Sequence, residues 1–365
     1  MKYILFILSI LVFPQLGQSW AEDALAKMSL EEKIGQLFIA PACPLRGEDH
    51  WNDWLSLINQ YHIGAAIMKQ GTLEEHVRLV NRLQKASPLP LLITADAEYG
   101  LAQCISDAIA YPRNAVLGKT NDLHLIHDIG KQIGAQCKQA GIHLNFSPVA
   151  DVNNNPGNII IGARSFGDDP DWVAQCVVAM FTGLQEGGVM ACAKHFPGHG
   201  DTSVDSHANL PIILHSRDHI ENTELIPFKA AIENGVKAIM SAHILVPCID
   251  EKLPCTLSAN AMHKLLRIEM GFDGLIITDA LNMKALVNLY TDEEIALYAH
   301  MAGCDLLLYG DHIAPNVDEI IRKQIPSAFN RLKRAYENDE LSIDFLNEKV
   351  LRILRAKESL LHSSF

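Results

Sequence analysis

Eight short apolar, β-prone runs recur along the chain, with helical stretches between them. They are LFIAPA (37–42), IGAAIMK (63–69), LLITADAE (91–98), HLNFSPVAD (143–151), MACAKHF (190–196), AIMSAHI (238–244), LIITDAL (275–281) and DLLLYG (305–310). These runs are continuously apolar instead of alternating with polar residues. Both faces of their sheet must therefore be covered, as in a parallel sheet with crossover helices. The intervening stretches supply such helices. SLEEKIGQLF (29–38) opens with a capping box, and DLHLIHDIGKQIGAQCKQAG (122–141) carries apolar residues at helical spacing up to a glycine stop. DDPDWVAQCVVAMFTGLQEGG (168–188) begins with acids, where the helix dipole favours them, and leaves at Gly-Gly.

An open doubly wound sheet and a single-domain (β/α)8 TIM-type barrel both satisfy this pattern. The polar residues decide between them. Asp96, Asp151, Lys194, His195, His243 and Asp279 all fall at the C-terminal ends of the runs. In a barrel those ends converge on one face, where active sites sit; an open sheet would spread them along a line. A chain of 365 residues, 48% of them hydrophobic, can bury one such barrel. After the eighth run the sequence reads as helical, so a second catalytic domain is not expected.

The formal net charge is −13, without a basic footprint for nucleic acid. The first residues have a separate logic. Lys2 gives a positive start, Ile4 to Phe13 an apolar stretch too short for a comfortable membrane span, and Ser19-Trp20-Ala21 a small-x-small cleavage site. Residues 1–21 are expected to be a cleaved signal peptide and residues 22–365 the catalytic barrel with its C-terminal helices. The eight cysteines include no CxxC pair or zinc-ribbon spacing, which argues against a structural metal. Export would permit disulfides, with Cys248 and Cys255 the closest pair in sequence. Cys192 and Cys304 sit in apolar runs and read as buried thiols.

Two features carry chemistry. Asp279 follows LIIT at the end of the seventh run: it either caps the next helix or serves as a nucleophile or electrostatic stabiliser at an anomeric carbon. The stretch KHFPGHGDTSVDSH (194–207) crowds histidines and carboxylates onto a loop broken by Pro197, Gly198 and Gly200. A metal set of His195, His199, Asp201 and His207 fits no standard spacing, and a phosphate cradle would place the lysine after the glycines. Asp205 close to His207 fits an acid/base dyad better, since a carboxylate orients an imidazole and raises its proton affinity. A solvated loop histidine beside an acid is the plainer alternative.

Taken together, these stretches resemble glycoside hydrolase family 3, and within it the bacterial β-N-acetylglucosaminidases. The resemblance rests on KHFPGHGDTSVDSH, DVNNNPGNIIIGARSFGDDP (151–170), IMSAHILVPCIDEKLPCTLS (239–258) and GFDGLIITDALNMKAL (271–286), in that family's order. It implies Asp279 as the nucleophile that forms a covalent glycosyl-enzyme, His207 as general acid/base and Asp205 as its partner. It further implies substrate binding by Asp96, Arg164, Lys194 and His195. The glycine-bearing loop would deliver His207 when substrate binds. The substrate implied is a glycan or muropeptide ending in β-linked N-acetylglucosamine, cleaved in the periplasm or outside the cell by a monomer, with no metal or organic cofactor.

The sequence departs from the family pattern in two places. Leu101 and Cys104 stand in AEYGLAQC where arginines are expected, and Thr278-Asp279-Ala280 stands where Ser-Asp-Asp is commoner. These changes bear on sugar preference more than on the reaction. A β-glucosidase, an N-acetylglucosaminide phosphorylase and a non-catalytic glycan-binding protein are the competing readings.

Overall fold

The structure, a computed structural model, describes residues 19–158, 160–202, 209–310 and 316–361. Each of the eight apolar runs contributes a strand: β1 (Phe38–Ala42), β2 (Ala65–Met68), β3 (Leu92–Ala95), β4 (Leu144–Asn145), β5 (Met190–Phe196), β6 (Ala238–Ser241), β7 (Leu275–Ile277) and β8 (Leu307–Leu308). Neighbours pair in parallel in the order β7-β6-β5-β4-β3-β2-β1-β8. The sheet then closes on itself. Ile277 bridges to Leu306, and the Thr278 amide donates to the Leu306 carbonyl at 3.0 Å. This is the (β/α)8 barrel expected from the sequence. Ile39, Ile93, Ile239 and Ile276 are wholly buried, and each such side chain contributes about 1.5–3 kcal/mol relative to exposure.

Some runs pair over less of their length than their apolar character suggests. HLNFSPVAD forms a regular ladder at Leu144 and Asn145 and pairs again with β5 through the isolated bridge Val149–Lys194, beyond Pro148, which has no N–H to donate. The stretch stays attached to β5: Cys192 N donates to Ser147 O at 2.9 Å, Lys194 N to Pro148 O at 3.1 Å, and Ala150 N to Lys194 O at 2.6 Å. This irregular exit carries the chain to Asp151. The predicted helices form with the expected caps. Ser29 and Glu32 exchange the capping-box bonds at 3.2 and 2.7 Å. Asp169 accepts from the amides of Asp171 and Trp172, both at 3.0 Å, to start the helix Pro170–Glu186.

The helix Ile343–Leu361 closes the N-terminal rim of the barrel. Buried Lys357 donates to Gln36 Oε1 at 2.6 Å and to the carbonyl of Gly64, just before β2, at 2.7 Å. Burial pushes this ammonium down to about 7. That end of a barrel serves stability, not chemistry. At the other terminus, the helix Trp20–Lys27 is capped by Ser19, and Ala21 within it is buried. It crosses the expected cleavage point between Ala21 and Glu22. All eight cysteines are unpaired, Cys248 and Cys255 included, and Cys192 and Cys304 are buried. Among the described residues, no helix is long and apolar enough to cross a membrane.

Candidate active site

The C-terminal strand ends meet in one pocket, lined among others by Asp96, Arg164, Lys194, His195, His199 and Asp279. Asp96 follows β3, Lys194 and His195 end β5, and Asp279 follows β7. Arg164 arrives on the long segment between β4 and the helix Pro170–Glu186. Five site residues expected from the sequence are thus brought together. Asp205 and His207 lie outside the described residues.

A residue passed over in the sequence, Glu98, organises the cation side. The carboxylate of Glu98 accepts from Arg164 Nε at 3.0 Å and Nη2 at 2.7 Å, and faces Lys194 Nζ at 2.8 Å. Lys194 Nζ also donates to Asp96 Oδ1 at 2.9 Å. Asn145 of β4 clamps the backbone between these two acids: it accepts from Ala97 N at 3.0 Å and donates to Ala97 O at 3.1 Å. Burial alone would raise the Glu98 carboxyl, but the Arg164 and Lys194 charges outweigh it and hold it well below the usual carboxylate range. Burial would likewise lower the Lys194 ammonium, yet Asp96 and Glu98 hold it above its ordinary value. The i, i+2 spacing of Asp96 and Glu98 in TADAEYG was the available signal.

Glu98 does not line the pocket, so it acts through the residues it positions. Glu98→Gln should raise KM about tenfold or more while kcat falls less, and should cost about 3 kcal/mol of stability, as for a buried pair that loses one partner. Steady-state kinetics alongside denaturant unfolding would check both.

Asp151, fully buried, does the same for the histidines. Its carboxylate takes the His195 amide at 3.2 Å, the His199 amide at 2.7 Å and His195 Nδ1 at 2.7 Å. Arg164 Nη2 stands 3.2 Å from His195 Nε2. A guanidinium can only donate, so Nε2 accepts and Nδ1–H points at Asp151. His199 lines the pocket, with Nδ1 2.9 Å from Thr202 Oγ1. Burial pushes the His199 imidazole down to about 4.

Asp279 sits at the pocket floor. Its Oδ1 accepts from the Ala280 amide at 2.8 Å, and its neighbour Thr278 accepts from Leu308 N at 2.9 Å, fixing the turn after β7. Desolvation would raise this carboxyl, but His243, the Ala280 amide and Lys194 outweigh it and hold it below the usual range. His243 itself is anchored by Thr256 Oγ1 at 2.8 Å and the Ala280 carbonyl at 3.0 Å. Its strand-end position was visible in the sequence, but its closeness to Asp279 was not.

The loop glycines are required by the packing around them. A Cβ on Gly200 would stand 1.7 Å from the Val152 carbonyl, and one on Gly198, at φ +130°, would stand 2.6 Å from Glu224 Cβ. Asn158 further ties His199 O and Gly200 O at 2.8 and 2.9 Å. Close packing demands glycine here, and residues 197–202 are pinned. Leu101 and Cys104 are both buried and outside the pocket lining. Burial pushes the Cys104 thiol up to about 12, so it brings no charge in place of an arginine.

The family model described as Glycosyl hydrolase family 3 N terminal domain matches residues 29–356. Beta-hexosaminidase A of Pseudoalteromonas piscicida is 33% identical over 334 residues, which are 84% of this chain and 55% of the relative. A glycoside hydrolase family 3 beta-N-acetylglucosaminidase from Paenibacillus sp. superposes with a TM-score of 0.86 at 35% identity, over 93% of this chain and 64% of that one. The beta-glucoside phosphorylase BglX bound to 2FGlc gives 0.85 at 27% identity, over 94% of this chain and 61% of that one. The chain spans just over half the length of that curated relative and less than two thirds of either solved structure.

Proposed function

The chain belongs to glycosyl hydrolase family 3, and from that premise we propose that it is a retaining exo-β-N-acetylglucosaminidase. One observation carries the mechanism. Among the described acids of the site, Asp96, Glu98 and Asp151 each hold a cation or backbone amides. Asp279 is held below the usual carboxylate range at the pocket floor, where its Oδ1 accepts from the amide of its own turn. One carboxylate is thus available as nucleophile, and the proton donor must come from elsewhere. The Asp205–His207 pair, on the loop that leaves β5, supplies it.

Asp279 attacks the anomeric carbon as the bond to the leaving oxygen breaks, and His207 gives that oxygen its proton. The product of this step is a glycosyl ester on Asp279. His207, now neutral, takes a proton from water, whose oxygen attacks the same carbon and releases Asp279. Two inversions leave the β configuration. Lys194, Asp96 and Arg164 bind sugar hydroxyls, with Glu98 and Asp151 holding the cations and His195 in place. An imidazole as acid/base spares Asp279 a neighbouring carboxylate, whose repulsion would disturb both pKa values.

The substrate class is a glycan ending in β-linked N-acetylglucosamine, on peptidoglycan fragments such as N-acetylglucosaminyl-anhydro-muramoyl peptides. The expected signal peptide supports action outside the cytoplasm, and intact mass of the exported protein would locate the cut. A panel of aryl β-glycosides tests the sugar assignment: the N-acetylglucosaminide should exceed the glucoside in kcat/KM by about 100-fold, as when a site is built around a group the rival lacks. Equal rates would remove it. The likeness to a β-glucoside phosphorylase favours a second reading, transfer to phosphate. A rate that depends on added phosphate, with a sugar phosphate as product, would establish that reading instead.

A further inference from the structure

We propose that His215, His219, Glu224 and Asp201 form a binding site for a divalent transition metal of the zinc class, beside the sugar pocket. One donor atom from each of His215, His219 and Glu224 lies within 4.8 Å of the others. His219 Nε2 stands 3.6 Å from Glu224 Oε1. Ligand atoms on a tetrahedral zinc with ordinary bond lengths stand about 3.4 Å apart. The two imidazoles lie side by side with ring centroids 3.9 Å apart. His215 Nε2 also contacts Asp201 Oδ2, which brings a further carboxylate oxygen to the cluster. None of the four residues lines the sugar pocket.

Local sequence explains the clustering. HSRDH places His215 and His219 four residues apart, and Ser216 caps the helix Arg217–Asn222 by accepting from the His219 amide at 3.2 Å. That turn brings both rings to one side, as i, i+4 histidines do in helical metal sites. Glu224 follows directly and packs against Gly198, where no side chain intervenes.

Glu224 supplies the independent observation. It is 1% exposed. Asn154 Nδ2 donates to its Oε1 at 3.1 Å, while its buried Oε2 has no hydrogen-bond partner among the described residues. Such an atom costs about 1–3 kcal/mol unless something meets it, and more when charged. A cation gripped by both carboxylate oxygens, Oε1 being the one 3.6 Å from His219 Nε2, would meet it. Two imidazoles with carboxylates suit zinc and its neighbours, whereas magnesium and calcium prefer all-oxygen shells. His219 is exposed and His215 half-buried, so an ion can enter from solvent.

The full chain, freed of metal with a chelator, should bind one Zn(II) per protein in isothermal titration. Co(II) in its place should give visible absorption of tetrahedral intensity. Glu224→Gln keeps the size of the side chain and its bond to Asn154, and His219→Ala changes an exposed position. Each should weaken Zn(II) binding by about 100-fold or more, beyond the 10–100-fold typical of outer-shell partners. Binding left unchanged in His219→Ala, or no binding by the native chain, would overturn the proposal. Should Glu224→Gln fold poorly, His219→Ala alone decides.

Discussion

Asp279→Asn is expected to lower kcat by about four orders of magnitude with little change in KM, the scale seen when a catalytic group that acts in concert with others is removed. The amide can still accept the Ala280 N–H bond that orients Asp279, so the turn after β7 should survive. What it lacks is a negative oxygen able to form the glycosyl ester. Circular dichroism and unfolding should match the parent. The position of Asp279 below the ordinary carboxylate range sets a further expectation. A group depressed in this way stays ionised as pH falls through the mildly acidic range, so loss of parent activity there reports a different group. A moderate loss in Asp279→Asn, within tenfold, would mean that another group attacks.

The second large effect concerns the proton donor and depends on the leaving group. His207→Ala should cut turnover about 10²–10⁴-fold on a sugar or muropeptide leaving group, which needs its oxygen protonated. A nitrophenyl glycoside leaves without help, so the first step should run nearly at the parent rate. Water attack then lacks a base, and the glycosyl-enzyme should accumulate, visible as a burst of one phenol per enzyme. Added azide, a nucleophile that needs no base, should restore turnover on that substrate. Equal losses on both substrates, with no burst and no azide rescue, would contradict the role given to His207.

The barrel was legible because its cause is local. Continuous apolar runs demand a sheet covered on both faces, and polar residues at their ends demand a common mouth. LIIT before Asp279 and MACA before Lys194 carried both signals within a few residues. The limits of the strands were less legible, since the regular β4 ladder stops at Asn145 while the carbonyls of Ser147 and Pro148 still serve β5. The supporting residues were hidden for another reason. Glu98 and Asp151 act through partners 66 and 44 residues away, a pairing only the closed barrel creates.

In the sequence, the loop that ends β5 is a crowd of titratable groups broken by proline and glycines. Its first half is packed against Val152, Asn158 and Glu224. His199, left without a role in the sequence, faces the pocket beside His195. Glycine marks both a flexible link and a tight approach, and the letters cannot tell one from the other. The neighbours of Gly200 in space can.

The central claim is that Asp279 becomes covalently glycosylated. The direct measurement uses a 5-fluoro N-acetylglucosaminyl fluoride, which keeps the 2-acetamido group and slows both steps but the second more. Intact-mass spectrometry should show one sugar added per chain, and peptide mapping should place it on Asp279, with no adduct in Asp279→Asn. An adduct on another residue, or one that survives in Asp279→Asn, would contradict the account.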